Sequence, residues 1–464
     1  MRKYIILIFL LFSVSECFYA QNQNSDNKYQ RPLKDVLLDI QDQFKVKLNI
    51  PEALVKDKVL NYADWRRKPW SLELSLSNVL SPFDLKFVKE SGVYKIKEFE
   101  YPRGVEKDGE EFLTYLTSLY TDLPGWEVRK KNLKTCMINA IGLNPMPKSP
   151  GSKPIITNKR IYNGYSVENV ALEILPGVYT TGSVYKSLKG KSCPVILNPN
   201  GHFGDGRYRA DQQYRCAMQA IMGAISVSYD LFAWDESLLQ FDGKWHRKSI
   251  AHTIQTLNAI RWIDYLTTLK NANPDLVAIT GGSGGGSQTM LVTAIDDRIK
   301  VSIPVVMTSS YFCGGCPCES GMPIHLCVGG TNNAEIAAMC APRPLLIISD
   351  GKDWTSAVPR LEFPFIRRIF EFYGKADNVE NSHFETEGHD YGISKRLVSY
   401  GFLVKHLGLN AKTVKDVNGK FDESKVNIEK YDALRVFGPK GESFPANAVK
   451  DLETLSKVLE EAKK

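Results

Sequence analysis

The sequence predicts an α/β protein: a doubly wound, mostly parallel sheet with helices on both faces, preceded by a small α+β domain. Three observations predict it. From residue 194 onward, short apolar runs of strand length alternate with helical segments. A glycine-framed serine, Ser283, stands directly between one such strand and the next helix. Ahead of that alternation, between Leu33 and Ile96, lies a separate group of short helices and strands. The composition suits this organisation, because 43% hydrophobic and 24% charged residues over 464 positions describe a globular chain rather than a disordered or collagen-like one.

The chain opens with Arg2 and Lys3 ahead of the apolar run Tyr4 to Phe12. That run is too short to span a bilayer and reads as a signal peptide over residues 1–20, cleaved after Ala20. Cys17 raises the alternative of a lipoprotein, although Glu16 departs from the small residue expected before a lipidated cysteine. Export to the periplasm or cell surface is the expectation. Loss of Arg2, Lys3 and Glu16 takes the formal net charge from +7 to +6. A mild positive balance suits an acidic partner such as a polyuronide. Nucleic acid is not expected, since no dense basic run with interleaved aromatics is present.

Of nine cysteines, Cys313, Cys316, Cys318, Cys327 and Cys340 crowd into one stretch. Export permits one or two disulfides. Cys313-x-x-Cys316-x-Cys318 with His325 nearby can also be drawn as a zinc site, but it lacks the paired C-x-x-C spacing that makes such a reading strong. No metal is therefore expected.

Residues 21–103 form the expected small domain. Leu33, Val36, Leu37, Ile40 and Phe44 recur at helical spacing. A short extended Lys47 to Ile50 follows, then a second helix over Leu72 to Leu80. The runs Leu85 to Val88 and Val93 to Ile96 flank Glu90-Ser91-Gly92 as a hairpin should. This order of elements resembles the short N-terminal domain of secretins and TonB-linked proteins. The resemblance implies docking at a cell surface, with a purely structural role as the alternative.

Residues 104–464 form the expected second domain. The chain reads as helical from about 110 to 145, where Pro145, Pro147, Pro150 and Pro154 break it. Asn163-Gly164 is a tight-turn dipeptide, and Val170, Leu172 and Ile174 alternate as a half-buried strand does. Strands are then expected at Pro194–Leu197, Ala224–Ser228, Leu276–Thr280, Val301–Val306 and Leu345–Ser349. Helices are expected at Ala210–Met222 and Ile250–Leu269, after Ser283, at Arg360–Tyr373 and at Ile393–His406.

The chemistry centres on Gly281-Gly282-Ser283-Gly284-Gly285, which follows the strand ending at Thr280. A serine on a sharp strand-to-helix turn has strained dihedrals and close backbone neighbours, so it needs glycines on either side. Its hydroxyl becomes a nucleophile only when a neighbouring base takes its proton. In such a fold the acid and then the histidine follow it in the chain. After the strand at Leu345 comes Ser349-Asp350-Gly351-Lys352-Asp353-Trp354-Thr355-Ser356-Ala357-Val358-Pro359. This resembles the α/β-hydrolase pattern H-G-x-x-D-x-x-x-V-P, with Asp353 at the position of the acid. Asp350 is a rival because Ser349-Asp350 replaces the usual His-Gly. Glu319 is a second rival, because relatives such as glucuronoyl esterases supply the acid from the loop after the preceding strand.

Gly388-His389-Asp390-Tyr391-Gly392 makes His389 the candidate base, with His383 as fallback. The oxyanion needs backbone donors. Gly284 is one candidate, and the loop Asn198-Pro199-Asn200-Gly201-His202-Phe203-Gly204 offers His202 or Phe203 as the other. Arg207, Trp354 and Tyr391 are candidate substrate contacts, Arg207 for carboxylates and the two rings for sugar faces.

With Tyr165-Ser166-Val167-Glu168-Asn169-Val170 and Ile260 to Leu266, these stretches resemble the acetyl xylan esterase-related bacterial hydrolases over roughly residues 150 to 410. Within that group the resemblance is to carbohydrate esterases that include pectin methylesterases. It implies an α/β-hydrolase fold and a serine esterase acting on polysaccharide or oligosaccharide esters without metal or organic cofactor. Methyl esters of a pectin-like galacturonan are favoured over acetyl esters of xylan or pectin. A non-catalytic glycan-binding surface protein is the alternative from another class.

Overall fold

The computed structural model describes residues 30–60, 63–98, 103–320 and 324–464. The signal-peptide reading of residues 1–20 falls outside them. The chain divides into two units, residues 1–100 and 101–464.

In the first unit the helix Leu33–Phe44 buries Leu33, Val36, Leu37 and Ile40, the same face that its spacing predicts. The strand Lys47–Asn49 pairs in parallel with Val93–Glu98, which pairs antiparallel with Leu85–Glu90 to complete a three-stranded sheet. The hairpin turns where Glu90 faces Val93, and Ser91 there takes a positive φ of 49°. Leu72–Leu80 is helical, as its pattern predicts. The pairs Arg31–Pro32 and Val59–Leu60 add a two-stranded sheet too short to carry a sequence period.

The second unit is built on one nine-stranded sheet, whose strands are numbered here within this unit. They are β1 (Ile155–Ile161), β2 (Tyr165–Leu175), β3 (Val178–Ser187), β4 (Cys193–Pro199), β5 (Ile225–Tyr229), β6 (Ala272–Gly282), β7 (Ile299–Val305), β8 (Leu345–Asp350) and β9 (Val379–Phe384). Their order across the sheet is 9-8-7-6-4-5-3-2-1. The meander β1 to β3 is antiparallel, β5 pairs antiparallel with β3, and all pairs from β5 to β9 are parallel. Helices cover both faces, and the architecture is that of an α/β-hydrolase.

Strand side chains alternate between the two faces, so each strand feeds two cores. Val195, Leu197, Val277, Ile279, Leu345 and Ile347 meet one layer, with Leu257 and Trp262 of the helix Ser249–Leu266 and Met290 of the helix Gly284–Ile295. Ile196, Ala278, Leu346 and Ile348 meet the other, with Ala217 of the helix Ala210–Ile221 and Leu403 of the helix Ile393–Leu407. The continuous apolar runs follow from this two-sided burial.

The stretch expected as helical near 110 to 145 is two helices, Glu106–Leu119 and Leu123–Ala140. They separate because the Asp122 side chain caps the second by accepting from Gly125 N–H, and Pro124 stands in its first turn. Strands β3 and β9 and a final helix, Leu452–Ala462, were not expected from the sequence. No helix among the described residues is long and apolar enough to cross a membrane.

Strand β4 leads to β5 on one side of the sheet, and β6 then returns to its other side. Loops leaving β4 and β6 therefore diverge at a topological switch point, which opens a crevice at the carboxyl ends of these strands. The loop after β4 carries His202 and Phe203, and the turn after β6 carries Ser283.

Candidate active site

Ser283 lies between β6 and the helix Gly284–Ile295 with φ +55° and ψ −124°. A non-glycine residue rarely adopts that conformation, so the fold must hold it in place. Its N–H donates to Val305 O at 3.0 Å, which ties the turn to the end of β7. A Cβ at Gly281 would come within 2.6 Å of Gly285 O and 2.7 Å of Pro199 O. The glycine on the strand side thus lets the turn close against the end of β4. Gly281→Val is expected to abolish soluble folded protein, because these obstacles are backbone and cannot rotate away; recovery of a wild-type melting curve would contradict this.

Gly284 opens the helix, so its N–H has no acceptor inside it and points where negative charge is stabilised. A Cβ there would lie 2.9 Å from His202 Cε1 and 3.1 Å from Glu319 Oε1. The loop after β4 thus folds directly over the turn. A Cβ on Gly201 would lie 3.0 Å from the Ser283 Cβ, and one on Gly282 would lie 3.2 Å from the Phe203 ring.

His389 sits on the loop after β9, and its Nδ1 meets Asp353 Oδ2 at 2.8 Å. Asp353 is almost fully buried, and its other oxygen accepts from the Thr355 N–H at 2.6 Å and from the Thr355 hydroxyl at 2.5 Å. The carboxylate cannot swing away from the imidazole without leaving both bonds. Two rings pack against the imidazole, Phe203 with ring centroids 5.3 Å apart and Trp354 at 4.2 Å. Phe203 links the serine turn to the histidine. An imidazole held by a carboxylate through Nδ1 presents Nε2 as a proton acceptor, as general-base chemistry requires.

The rival acids have other partners. Asp350 is buried beside Lys395 Nζ at 3.2 Å. Burial pushes its carboxyl up to about 7, with Lys395 opposing and Asp353 and Asp390 adding to the rise. A carboxyl raised by the fold contributes stability that is fully present below its unfolded value near 4 and is lost as pH rises through about 7. Asp350→Asn should therefore gain stability relative to wild type at pH 8 compared with pH 5. Denaturation midpoints at the two pH values measure this, and an equal offset at both would contradict it.

Glu319 meets His202 Nδ1 at 3.1 Å, not His389. Burial works against its charge, yet the His202 ring and the N–H groups of Gly315 and Cys316 hold it below the usual carboxylate range. The fallback base His383 is engaged by Ser349 Oγ at 2.9 Å and Glu385 Oε2 at 3.0 Å.

Two of the three expected substrate contacts require correction. Arg207 is fully buried and cannot reach a polysaccharide. Its donors are spent on Asp230 (2.8 Å), Ser183 Oγ (2.8 Å), Leu434 O (2.6 Å), Tyr208 OH (2.8 Å) and Glu236 (2.7 Å). Arg207→Ala would strand two buried carboxylates and should cost about 3–5 kcal/mol of stability. Denaturant unfolding measures this loss, and an unchanged midpoint would contradict it.

Tyr391 is buried too. Its hydroxyl bonds Thr280 Oγ1 at 2.8 Å and Ser399 Oγ at 2.7 Å, and the Arg215 guanidinium covers its ring at 4.1 Å. Buried in this way, it braces the loop of His389 and offers no face to a sugar. Trp354 does border the site through its contact with His389. The Arg103 guanidinium, overlooked in the sequence, lies 5.6 Å from the rings of both Trp354 and Phe312.

Disulfide bonds join Cys136 to Cys327 and Cys316 to Cys318, while Cys193, Cys216, Cys313 and Cys340 are free. The grouping of Cys313 and His325 with Cys316 and Cys318 does not form. His325 Nε2 meets Asn333 Oδ1 at 3.0 Å. Cys316 and Cys318 converge instead on His202 and on His246, whose position carries no sequence signal.

No family model matches the chain, and no curated protein matches it. Among solved structures, Methylesterase BT1017 is 46% identical, with a TM-score of 0.74, over 94% of this chain and 98% of that one. A candidate acetyl xylan esterase (BF1801) from Bacteroides fragilis is 17% identical, with a TM-score of 0.45, over 69% of this chain and 88% of that one. A glucuronoyl esterase from Solibacter usitatus is 15% identical, with a TM-score of 0.42, over 61% of this chain and 93% of that one. At these values the last two do not bear on the reaction. The first likeness does, at nearly half the residues and almost the full length of both chains. The chain is a carboxylic ester hydrolase and belongs to the α/β-hydrolase esterase family that contains Methylesterase BT1017.

Proposed function

We propose that the chain is an exported serine carbohydrate esterase that removes methyl esters from pectin-like polyuronides. The observation that carries the reading is the His389–Asp353 pair, bonded at 2.8 Å and joined through Phe203 to the turn that bears Ser283. In the proposed cycle His389 Nε2 takes the Ser283 hydroxyl proton as Oγ attacks the ester carbonyl. The Gly284 N–H and the backbone at His202 or Phe203 receive the oxyanion. Methanol leaves with the proton from His389, and an acyl-enzyme remains on Ser283. Water, deprotonated by His389, then releases the free carboxylate and restores the serine.

The ester type is supported by the likeness to a methylesterase. An acidic polymer is supported by the positive net charge, +7 for the full chain and +6 after loss of residues 1–20, and by Arg103, exposed beside Trp354 at the edge of the site. Its guanidinium can meet a free carboxylate next to the ester under attack. Methanol release from methylated pectin is the test. Methanol without acetate supports the reading, and acetate without methanol replaces it with an acetyl esterase. Arg103→Ala should raise KM for the polyuronide about fivefold, the upper end for an exposed ion pair. KM for a small neutral acetate ester should hardly change. Equal losses on both substrates would remove Arg103 from polymer binding.

A further inference from the structure

Four donor atoms from three separate segments meet beside the loop after β4. They are the ligand atoms of His202, His246, Cys316 and Cys318, all within 4.8 Å of one another. His202 Nε2 lies 2.7 Å from His246 Nε2, 3.1 Å from Cys318 Sγ and 3.7 Å from Cys316 Sγ. His246, Cys316 and Cys318 are buried and His202 is half-buried.

The second nitrogen of each ring determines which protons are present. His246 Nδ1 faces the Phe232 carbonyl at 2.6 Å. A carbonyl only accepts, so Nδ1 carries the hydrogen and Nε2 of the neutral ring presents a lone pair. His202 Nδ1 faces the Glu319 carboxylate at 3.1 Å, and the same reasoning leaves a lone pair on its Nε2. Two lone pairs thus face each other at 2.7 Å inside the protein. A proton on one ring would ease that contact without drawing on the two sulfurs that converge on the same ring nitrogen. A disulfide supplies neither charge nor proton to the rings. One divalent cation satisfies all four atoms.

We propose that His202, His246, Cys316 and Cys318 hold a zinc ion in a closed, tetrahedral Cys2His2 site that pins the oxyanion loop. Zinc competes with the Cys316–Cys318 disulfide and is taken up by the newly made chain while both cysteines are still thiols: it binds the two thiolates and two neutral imidazoles, and two protons leave to solvent. Zinc–nitrogen bonds of about 2.0–2.1 Å and zinc–sulfur bonds of about 2.3 Å fit these donors once the rings part by roughly half an ångström and the two sulfurs, as separate thiolates, move apart to two corners of the tetrahedron. The surroundings suit a metal, since zinc-bound histidines donate their other N–H to a carboxylate or a backbone carbonyl. Glu319 and Phe232 O fill those two places. Four protein ligands leave no open position, so the ion is structural rather than an activator of water. It joins the loop of His202, the turn Gly243–Arg247 and the turn Pro317–Ser320.

The test uses the full chain, purified without chelator or reductant. Elemental analysis should give about one zinc per chain. Thiol titration in denaturant with chelator should find the Cys316 and Cys318 thiols in addition to those of Cys193, Cys216, Cys313 and Cys340. His246→Ala and Cys318→Ser should each lower bound zinc to near background. Glu319→Gln should keep the site but weaken zinc affinity about 10- to 100-fold. If the substitutions prevent folding, the wild type still decides: cobalt exchanged for zinc should show tetrahedral d–d bands together with thiolate charge transfer. Zinc-free protein with a Cys316–Cys318 disulfide in its peptide map, taking up no cobalt after reduction, would overturn the proposal. Cobalt bound without thiolate charge transfer would do the same.

Discussion

Ser283→Ala is expected to lower ester turnover by about a million-fold while leaving the fold unchanged, because nucleophile and base act as a unit. The fold should survive because the substitution removes one hydroxyl, while the N–H that ties the turn to Val305 O remains. His389→Ala should cost a similar factor, and the double variant should be scarcely worse than either single one. Without a base the hydroxyl is not activated, and without the hydroxyl the base has nothing to activate. Residual hydrolysis would come from the oxyanion donors alone. Burst kinetics on a chromogenic acetate ester and a melting curve for each variant are the measurements. A tenth of wild-type turnover in either single variant would remove that residue from the mechanism.

Asp353→Asn should cost about 10⁴-fold in kcat, since an amide can present its N–H to His389 Nδ1 and favour the wrong tautomer. Nε2 would then carry the proton and could not accept one from Ser283. Asp350→Asn and Glu319→Gln should cost far less, because their carboxylates meet Lys395 and His202 instead of His389. A larger loss from Asp350→Asn than from Asp353→Asn would transfer the role of acid. The pH profile separates the two further. Loss of the imidazole's partner alters the acid limb of kcat/KM, whereas a change in stability alone leaves its shape intact.

Sequence alone determined the features that depend on short stretches of chain. The short continuous apolar runs of the parallel strands, the glycines around Ser283 and the glycine-flanked His389 each follow from local sterics or burial, and each is visible within a few residues. Asp353 was favoured over its rivals by a pattern of eleven consecutive residues, from Ser349 to Pro359, and it is the carboxylate that bonds His389. Tertiary structure decided what a side chain faces once distant segments close around it. Arg207 follows the oxyanion loop in sequence, yet it turns inward because Asp230 and Glu236 lie buried behind it and the Leu434 carbonyl, 227 positions away, completes its shell. Tyr391 adjoins Asp390 beside His389, yet its hydroxyl finds Thr280 at the end of β6, 111 positions earlier. His246 shows no motif, and it meets His202 only because the segments after β4 and β5 fold over the same turn. Backbone conformation is set largely by neighbours in the chain, whereas the direction of a long polar side chain is set by where its charge can be paired. That pairing depends on residues hundreds of positions apart, which no local pattern encodes.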